Sequence, residues 1–130
     1  MAPNFAISSE KRVVRLVYRD SATFDEWAQT MDAVLRDSRF QPGFSFLVDR
    51  RGAPPPSRDY VERVVHYTER HQAEIGASVR WATVVSDKVS YGMARMAQGL
   101  SGSRSMHVFT DVAQAEKWLF SAEGTPGPGG

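Results

Sequence analysis

The chain has 130 residues, of which 42% are hydrophobic and 24% charged, and its formal net charge is +1 at pH 7. These values are typical of one globular domain and exclude a disordered or fibrous chain. The small net charge excludes the strong basic field of a nucleic-acid-binding protein. The sequence has no cysteine, which excludes disulfides and thiolate metal sites.

The first third of the chain predicts a β-hairpin and a helix. Residues 5–9 alternate apolar and small side chains, and residues 13–18 are β-branched and aromatic, as in two paired strands. Thr23 stands three residues before Glu26, which is the capping-box pattern at a helix start. The helix is expected to end before Pro42 and Gly43. Its apolar face at helical spacing comprises Phe24, Trp27, Ala28, Met31, Val34 and Leu35.

Three strand–helix units follow. Residues 44–49 and 79–87 are apolar at nearly every position, as in strands covered on both faces, and residues 105–109 form a shorter strand. Three helices are predicted here. The first follows from an inward-facing apolar stripe that runs from Val61 to Ile75, and it ends at Gly76. The second covers residues 88–100, and the third begins after a cap at Asp111. The order β-β-α-β-α-β-α-β-α predicts a single α/β domain. It has a mixed, mostly parallel five-stranded sheet and four helices.

We expect this domain to span residues 1–121, followed by a disordered tail over residues 122–130, which is rich in Gly and Pro. No apolar run approaches the ~20 residues of a membrane span. The N-terminal stretch lacks the apolar core of a signal peptide, so we expect a cytoplasmic protein.

Three segments carry a resemblance to a known family: FLVDRRG (residues 46–52), RWATVVSDKVSYGMARM (80–96) and HVFTDVAQAEKWL (107–119). With the element order, they resemble the STAS-like superfamily of bacterial anti-sigma-factor antagonists. The chain is more closely similar to small bacterial STAS/SEC14-type proteins of unknown function. This resemblance implies a mixed sheet with four helices and a non-enzymatic, regulatory role based on protein–protein interaction.

The same resemblance directs attention to the turn after the third strand. In the antagonists, an Asp-Ser-Ser-Gly-like turn carries a phosphorylated serine at a helix start. Here Asp49 and Gly52 lie near that turn, but APPPSRDY replaces the serines, and Ser57 is the nearby hydroxyl. Ser57 is therefore a candidate phosphorylation or anion site, because a helix start attracts anions. Three nearby arginines would bind the same anion through their guanidinium groups: Arg50, Arg51 and Arg58. The alternative is that Ser57 is an ordinary N-cap and the arginines are solvated.

A candidate partner surface follows from the parallel sheet. Loops at the carboxyl ends of parallel strands share one edge, where α/β proteins usually bind their ligands. The residues expected there are Ser86, Asp87, Lys88, Ser90 and Tyr91. Ser86 and Asp87 have the alternative role of capping the next helix. We expect the partner to be another protein, and the edge strand over residues 5–9 to be able to support a homodimer.

No catalytic residue, cofactor or metal site is predicted. His66 and His71 point about 140° apart on a helix, so they cannot bind one metal ion together, and His107 stands alone in a strand. The sequence also lacks a legible acid–base pair, so an enzyme is the least favoured class.

The main alternative function is a carrier of a small hydrophobic ligand or lipid. The chain also resembles the lipid-binding half of CRAL-TRIO proteins, and Met93 and Met96 would suit a pocket between helices and sheet.

Overall fold

The computed structural model describes residues 1–76, 79–101 and 105–121. The predicted tail over residues 122–130 lies outside the described residues. The elements are β1 (Asn4–Ser8), β2 (Val13–Val17), α1 (Phe24–Arg36), β3 (Ser45–Asp49), α2 (Arg58–Arg70), α3 (Gln72–Ile75), β4 (Trp81–Val84), α4 (Lys88–Ser101), β5 (Met106–Phe109) and α5 (Val112–Leu119).

The five strands form one sheet in their order along the chain, β1-β2-β3-β4-β5. β1 pairs with β2 antiparallel, and the other three pairings are parallel. The predicted mixed, mostly parallel sheet is therefore confirmed. Each parallel connection leads to the adjacent strand, always on the same side. Connections of the same handedness therefore place their helices on the same face of the sheet.

Two separate cores result from this arrangement. On the first face, α1 and α2 pack against alternate residues of β2 and β3, such as Val14, Leu16 and Phe46. On the second face, α5 packs its buried residues against Leu47 and Ala82. The first core contains most of the large aromatic side chains, and the second is smaller.

The predicted capping box of α1 is confirmed. The Glu26 N–H donates to Thr23 Oγ1 at 3.1 Å, and the Thr23 N–H donates to Glu26 Oε1 at 2.9 Å. Two N–H groups that the first helical turn leaves unpaired are thereby satisfied. Trp27, Met31 and Val34 of the predicted apolar face are buried.

The four long helices match the prediction, and the structure adds a single turn, α3. The predicted stripe through Ile75 is interrupted at His71, whose ring stacks on Tyr67 with centroids 3.9 Å apart. Gly76 ends this segment at φ +113°, and a Cβ there would lie 2.8 Å from the Gly43 nitrogen. The helix stop predicted at Gly76 thus depends on a close approach between two loops.

None of the helices in the described ranges combines the length and apolar character needed to cross a membrane.

Candidate functional site

The site lies at the carboxyl ends of β2 and β3, where both strands continue for one more residue. The Tyr18 N–H donates to the Asp49 carbonyl and the Arg50 N–H to the Val84 carbonyl, each at 2.9 Å. Side chains alternate between the two faces of a strand. Arg50 is therefore in phase with the buried Val48 and lies beside Tyr18 on the face that α2 covers.

The Arg50 side chain is buried without an acidic partner. Only 9% of the residue is exposed. Its Cζ lies 4.2 Å from the Tyr18 ring centroid and 5.5 Å from that of Tyr60. Nη2 donates to the Pro54 carbonyl at 3.2 Å, whereas the buried Nε has no hydrogen-bond partner. Across the part of the chain that the structure describes, Arg50 forms no ion pair with a carboxylate.

The two tyrosines beside Arg50 form a hydrogen-bonded pair. Their hydroxyl oxygens are 2.6 Å apart. Burial raises the pKa of Tyr18 well above its usual value, and burial also raises the pKa of Tyr60, although the positive charge of Arg50 acts in the opposite direction. Both hydroxyls are therefore protonated at neutral pH, and neither neutralises Arg50.

The charge of Arg50 also acts weakly on Asp87, whose carboxylate is hydrogen-bonded to Ser90. Its carboxylate accepts hydrogen bonds from the Ser90 N–H at 2.8 Å and the Ser90 hydroxyl at 2.9 Å. These bonds lower the pKa of Asp87, and the charge of Arg50 adds a smaller contribution in the same direction. Asp87 thus caps the start of α4.

The predicted partner surface is only partly exposed. Ser86, Asp87 and Lys88 are exposed, and Tyr91 is 36% exposed. Ser90 is 2% exposed and therefore lies beneath this surface.

The four predicted anion-site residues divide into two pairs. Ser57 caps α2, its Oγ accepting the Tyr60 N–H at 3.1 Å, so the N-cap interpretation describes its hydrogen bonding. Ser57 and Arg50 line one open cavity of about 250 Å³, which we call the α2-start cavity. Its other lining residues are Ser21, Ala22, Thr23, Phe24, Pro54, Pro55, Pro56, Asp59, Tyr60 and Arg63.

Arg51 and Arg58 lie outside that cavity and have acidic partners. Arg51 donates to both carboxylate oxygens of Asp49, from Nε at 2.9 Å and from Nη2 at 2.7 Å. These bonds lower the pKa of Asp49. Arg58 Nε donates to Glu62 at 3.1 Å, one turn along the exposed side of α2.

A second cavity, which we call the apolar cavity, lies between α2, α4 and the first face of the sheet. Its volume is about 90 Å³. It shares Arg50, Pro56 and Tyr60 with the α2-start cavity. Its described lining includes no Asp or Glu, so it combines one cation and several hydroxyls with an apolar wall. Apolar side chains in that wall are Trp27, Val61, Val64, Trp81, Met93 and Met106.

The three histidines lie apart from one another, and His107 is among the residues that line the apolar cavity. His66 is exposed on α2, His71 stacks on Tyr67, and His107 stacks on Trp118 at 4.5 Å on the second face. Among the described residues, no three metal-ligating side chains come together.

Comparison with known proteins supplies a structural relative. Neither a protein-family model nor a curated protein matches the sequence. The chain is similar to the crystal structure of an uncharacterized protein of the DUF3478 family with a SpoIIAA-like fold from Shewanella loihica PV-4. The two share 16% identity and a TM-score of 0.62 over 91% of this chain and 92% of the other. This chain has a SpoIIAA-like fold. The predicted STAS-like resemblance is thereby confirmed for the fold.

Sequence reasoning missed the two tyrosines of this SpoIIAA-like domain. The signal for Tyr18 and Arg50 was the strand alternation continued for one residue: Tyr18 is in phase with Leu16, and Arg50 with Val48. Tyr60 stands one position from Val61 of the inward helical stripe. The sequence places Tyr18 in a predicted strand and Tyr60 at a helix start. Such patterns are weakest at strand ends and helix starts, so they do not show that both side chains meet Arg50.

Proposed function

We propose that this SpoIIAA-like domain is a non-enzymatic binding module that regulates another protein, and that an anion held at Arg50 controls it. The observation that carries the proposal is the buried Arg50 guanidinium, which has an unpartnered Nε and no ion pair among the described residues. A SpoIIAA-like fold fits a regulatory domain. The chemistry of the site is the argument for the anion.

Arg50 is stabilised only in part by the protein. Removing an unpaired ion from water costs several kcal/mol even after relaxation. Each of the two tyrosine faces returns about 0.5–2 kcal/mol, and the bond to the Pro54 carbonyl about 1.5–3 kcal/mol. An anion at Nε would add a charge-assisted hydrogen bond and neutralise the charge. The site therefore favours occupation by an anion.

A phosphate on Ser57 is one anion that fits this proposal. Ser57 is exposed and shares the α2-start cavity with Arg50 and Arg63. The start of α2 also favours negative charge. Arg51 and Arg58 are paired with carboxylates, so they would contribute less than Arg50.

The proposed partner surface is the exposed edge formed by Ser86, Asp87, Lys88 and Tyr91, where α4 begins. The charge of Arg50 acts on Asp87, whose carboxylate caps that helix. An anion at Arg50 would cancel part of this attraction. We propose that this electrostatic change links the site to the partner surface.

The anion site is tested by titrating the protein with sodium acetate and with inorganic phosphate while the arginine Nε–H signals are followed by NMR. We expect the Arg50 signal to shift and saturate at lower concentrations than the signal of the exposed Arg58. Arg50→Gln should abolish the saturable response, and Arg51→Gln should leave it unchanged. A response of all arginines at the same concentration, or no response at Arg50, would overturn the proposal.

The partner surface needs a separate test. Lys88→Glu and Tyr91→Ala change exposed side chains at the start of α4. We expect both to weaken cross-linking to a protein that the wild-type chain captures from cell extract. Undiminished capture by both variants would exclude this edge as the contact surface. The homodimer through β1 stays a prediction, which sedimentation of the purified protein measures.

A further inference from the structure

We propose that the anion bound at Arg50 is the carboxylate of a small amphipathic acid, whose apolar part occupies the apolar cavity between α2, α4 and the sheet. This inference rests on the proposed anion site and adds the chemical class of the ligand. Arg50 and Tyr60 line both cavities, so a single ligand can contact the guanidinium and the apolar wall together.

The apolar end of the proposed site has room for a short chain. Its volume of about 90 Å³ equals that of about three water molecules, or roughly three or four carbon atoms of a ligand. Val61 and Val64 of α2 and Trp81 of β4 form fixed walls. Met93 and Met106 form adaptable ones, because an unbranched thioether side chain changes shape easily.

The helix α4 forms one wall of the apolar cavity. Ser90 is the residue of this helix that is fully buried, while Met93, Ala94 and Ala97 line the cavity and remain partly exposed. These partly exposed side chains leave the cavity open towards solvent along α4. A ligand chain somewhat longer than the cavity can therefore enter along α4.

The polar end of the proposed site matches a carboxylate. Arg50 lines this cavity, and its buried Nε–H has no partner. In the pair formed by Tyr18 and Tyr60, one hydroxyl donates to the other, so the second hydroxyl keeps a proton for another acceptor. A guanidinium N–H and a phenolic O–H together supply two donors, and a carboxylate has two acceptor oxygens.

Charge balance favours a monoanion over a phosphate monoester. The described residues give this end of the apolar cavity one cation, Arg50, and two neutral phenols. One carboxylate neutralises one guanidinium. A phosphate carries about −1.5 to −2 at pH 7, so it would leave buried negative charge without a partner.

The test is a calorimetric titration with acetate, butanoate, hexanoate and octanoate, with butanol and hexanol, and with hexyl phosphate. We expect affinity to rise about fourfold per added methylene until the cavity is filled, and then to level off. Each acid should bind about ten- to a hundredfold more tightly than the alcohol of the same length, because only the acid makes charged hydrogen bonds.

Two variants separate the two ends of the ligand. Arg50→Gln should remove the preference for acids over alcohols and keep the dependence on chain length. Ala97→Leu fills the cavity from α4, so it should remove the dependence on chain length and keep acetate binding at Arg50. Arg51→Gln, on the side chain paired with Asp49, should bind the whole series as the wild type does. Circular dichroism establishes that each variant is folded.

The outcomes distinguish this inference from the proposed function. If acetate and hexanoate bind with equal affinity, or if hexyl phosphate binds more tightly than hexanoate, the proposal of an amphipathic acid ligand is overturned. The proposed anion site is then left intact. Alcohols that bind as tightly as the acids, or acid binding that survives Arg50→Gln unchanged, would overturn both.

Discussion

Arg50 and Arg51 are neighbours in the chain, yet their side chains have opposite surroundings. The Arg51 side chain forms two hydrogen bonds to the partly exposed Asp49, a surface pair of the kind that contributes at most about 1 kcal/mol. Arg50 is buried between Tyr18 and Tyr60 and has no carboxylate partner among the described residues. A buried charge without a partner lowers stability, so its presence at a cavity points to a ligand.

The tyrosine pair predicts a pH dependence at the level of single residues. Burial raises the folded-state pKa of both Tyr18 and Tyr60, so their contribution to stability is complete below the unfolded pKa of about 10 and is lost as pH rises above it. We expect the free energy of unfolding to fall between about pH 9 and pH 11. Tyr18→Phe should make the fall less steep.

Urea unfolding across this pH range measures the effect. Tyr91→Phe, which changes an exposed tyrosine, is the matched control and should unfold as the wild type does. Identical pH slopes for Tyr18→Phe and the wild type would show that Tyr18 ionises equally easily in the folded and unfolded states.

At the scale of secondary-structure elements, the backbone N–H groups at the starts of α1 and α2 are capped by different residues. Thr23 and Glu26 satisfy two backbone N–H groups of α1, and Ser57 satisfies one N–H group of α2. Three prolines precede Ser57 and stiffen the approach to α2. Ser57 is thus a structural cap, and a modification there would act on both the helix and the α2-start cavity.

Substitutions at Ser57 separate its two roles. Ser57→Ala should lower the free energy of unfolding by about 1 kcal/mol, as Thr23→Ala should in α1, because an N-cap is lost. Ser57→Asp keeps an N-cap and adds a negative charge in the cavity that Arg50 lines, so it should retain stability and weaken acetate binding. Chemical denaturation and acetate titration measure the two effects.

Two results would contradict this account. Full stability of Ser57→Ala would show that the cap is dispensable. Undiminished acetate binding by Ser57→Asp would show that Ser57 and Arg50 do not act in one site.

At the scale of the whole molecule, the two faces of the sheet carry separate buried clusters. The α1 and α2 face contains the Arg50 site and the apolar cavity, whereas α5 packs Ala115, Trp118 and Leu119 on the second face. The half-buried pair Arg15–Glu116 joins β2 to α5 on that second face. The second face therefore contributes to stability through residues that do not line either cavity of the proposed site.

The second face provides a stability test. Leu119→Ala should lower the free energy of unfolding by about 2–5 kcal/mol, because it leaves a cavity in the smaller core. The neighbouring Phe120 is 42% exposed, so Phe120→Ala should change it by less than about 0.5 kcal/mol. Thermal unfolding compares the two variants. A folded Leu119→Ala should still bind acetate at Arg50, and its failure to do so would show that the two faces are coupled.

Most of the fold was predictable because its signals are local. Alternation within β2 and β3, helical spacing in α1 and the pair Thr23 and Glu26 each depend on residues a few positions apart. These patterns determined the element order, the mostly parallel sheet and the helix starts. The break between α2 and α3 at His71 was not predicted, because the apolar spacing from Val61 to Ile75 runs through it.

The site was predictable only in outline, since the loops that contain Arg50, Ser57 and Asp87 follow from the strand ends. Tertiary structure alone decided which arginine is buried and which is paired. Tyr18 and Tyr60 are 42 residues apart, and the cavity wall adds Met93 from a third element. The environment of a charge depends on all the groups that surround it. The pattern along the chain therefore shows neither that Arg50 is buried nor that it has no carboxylate partner among the described residues.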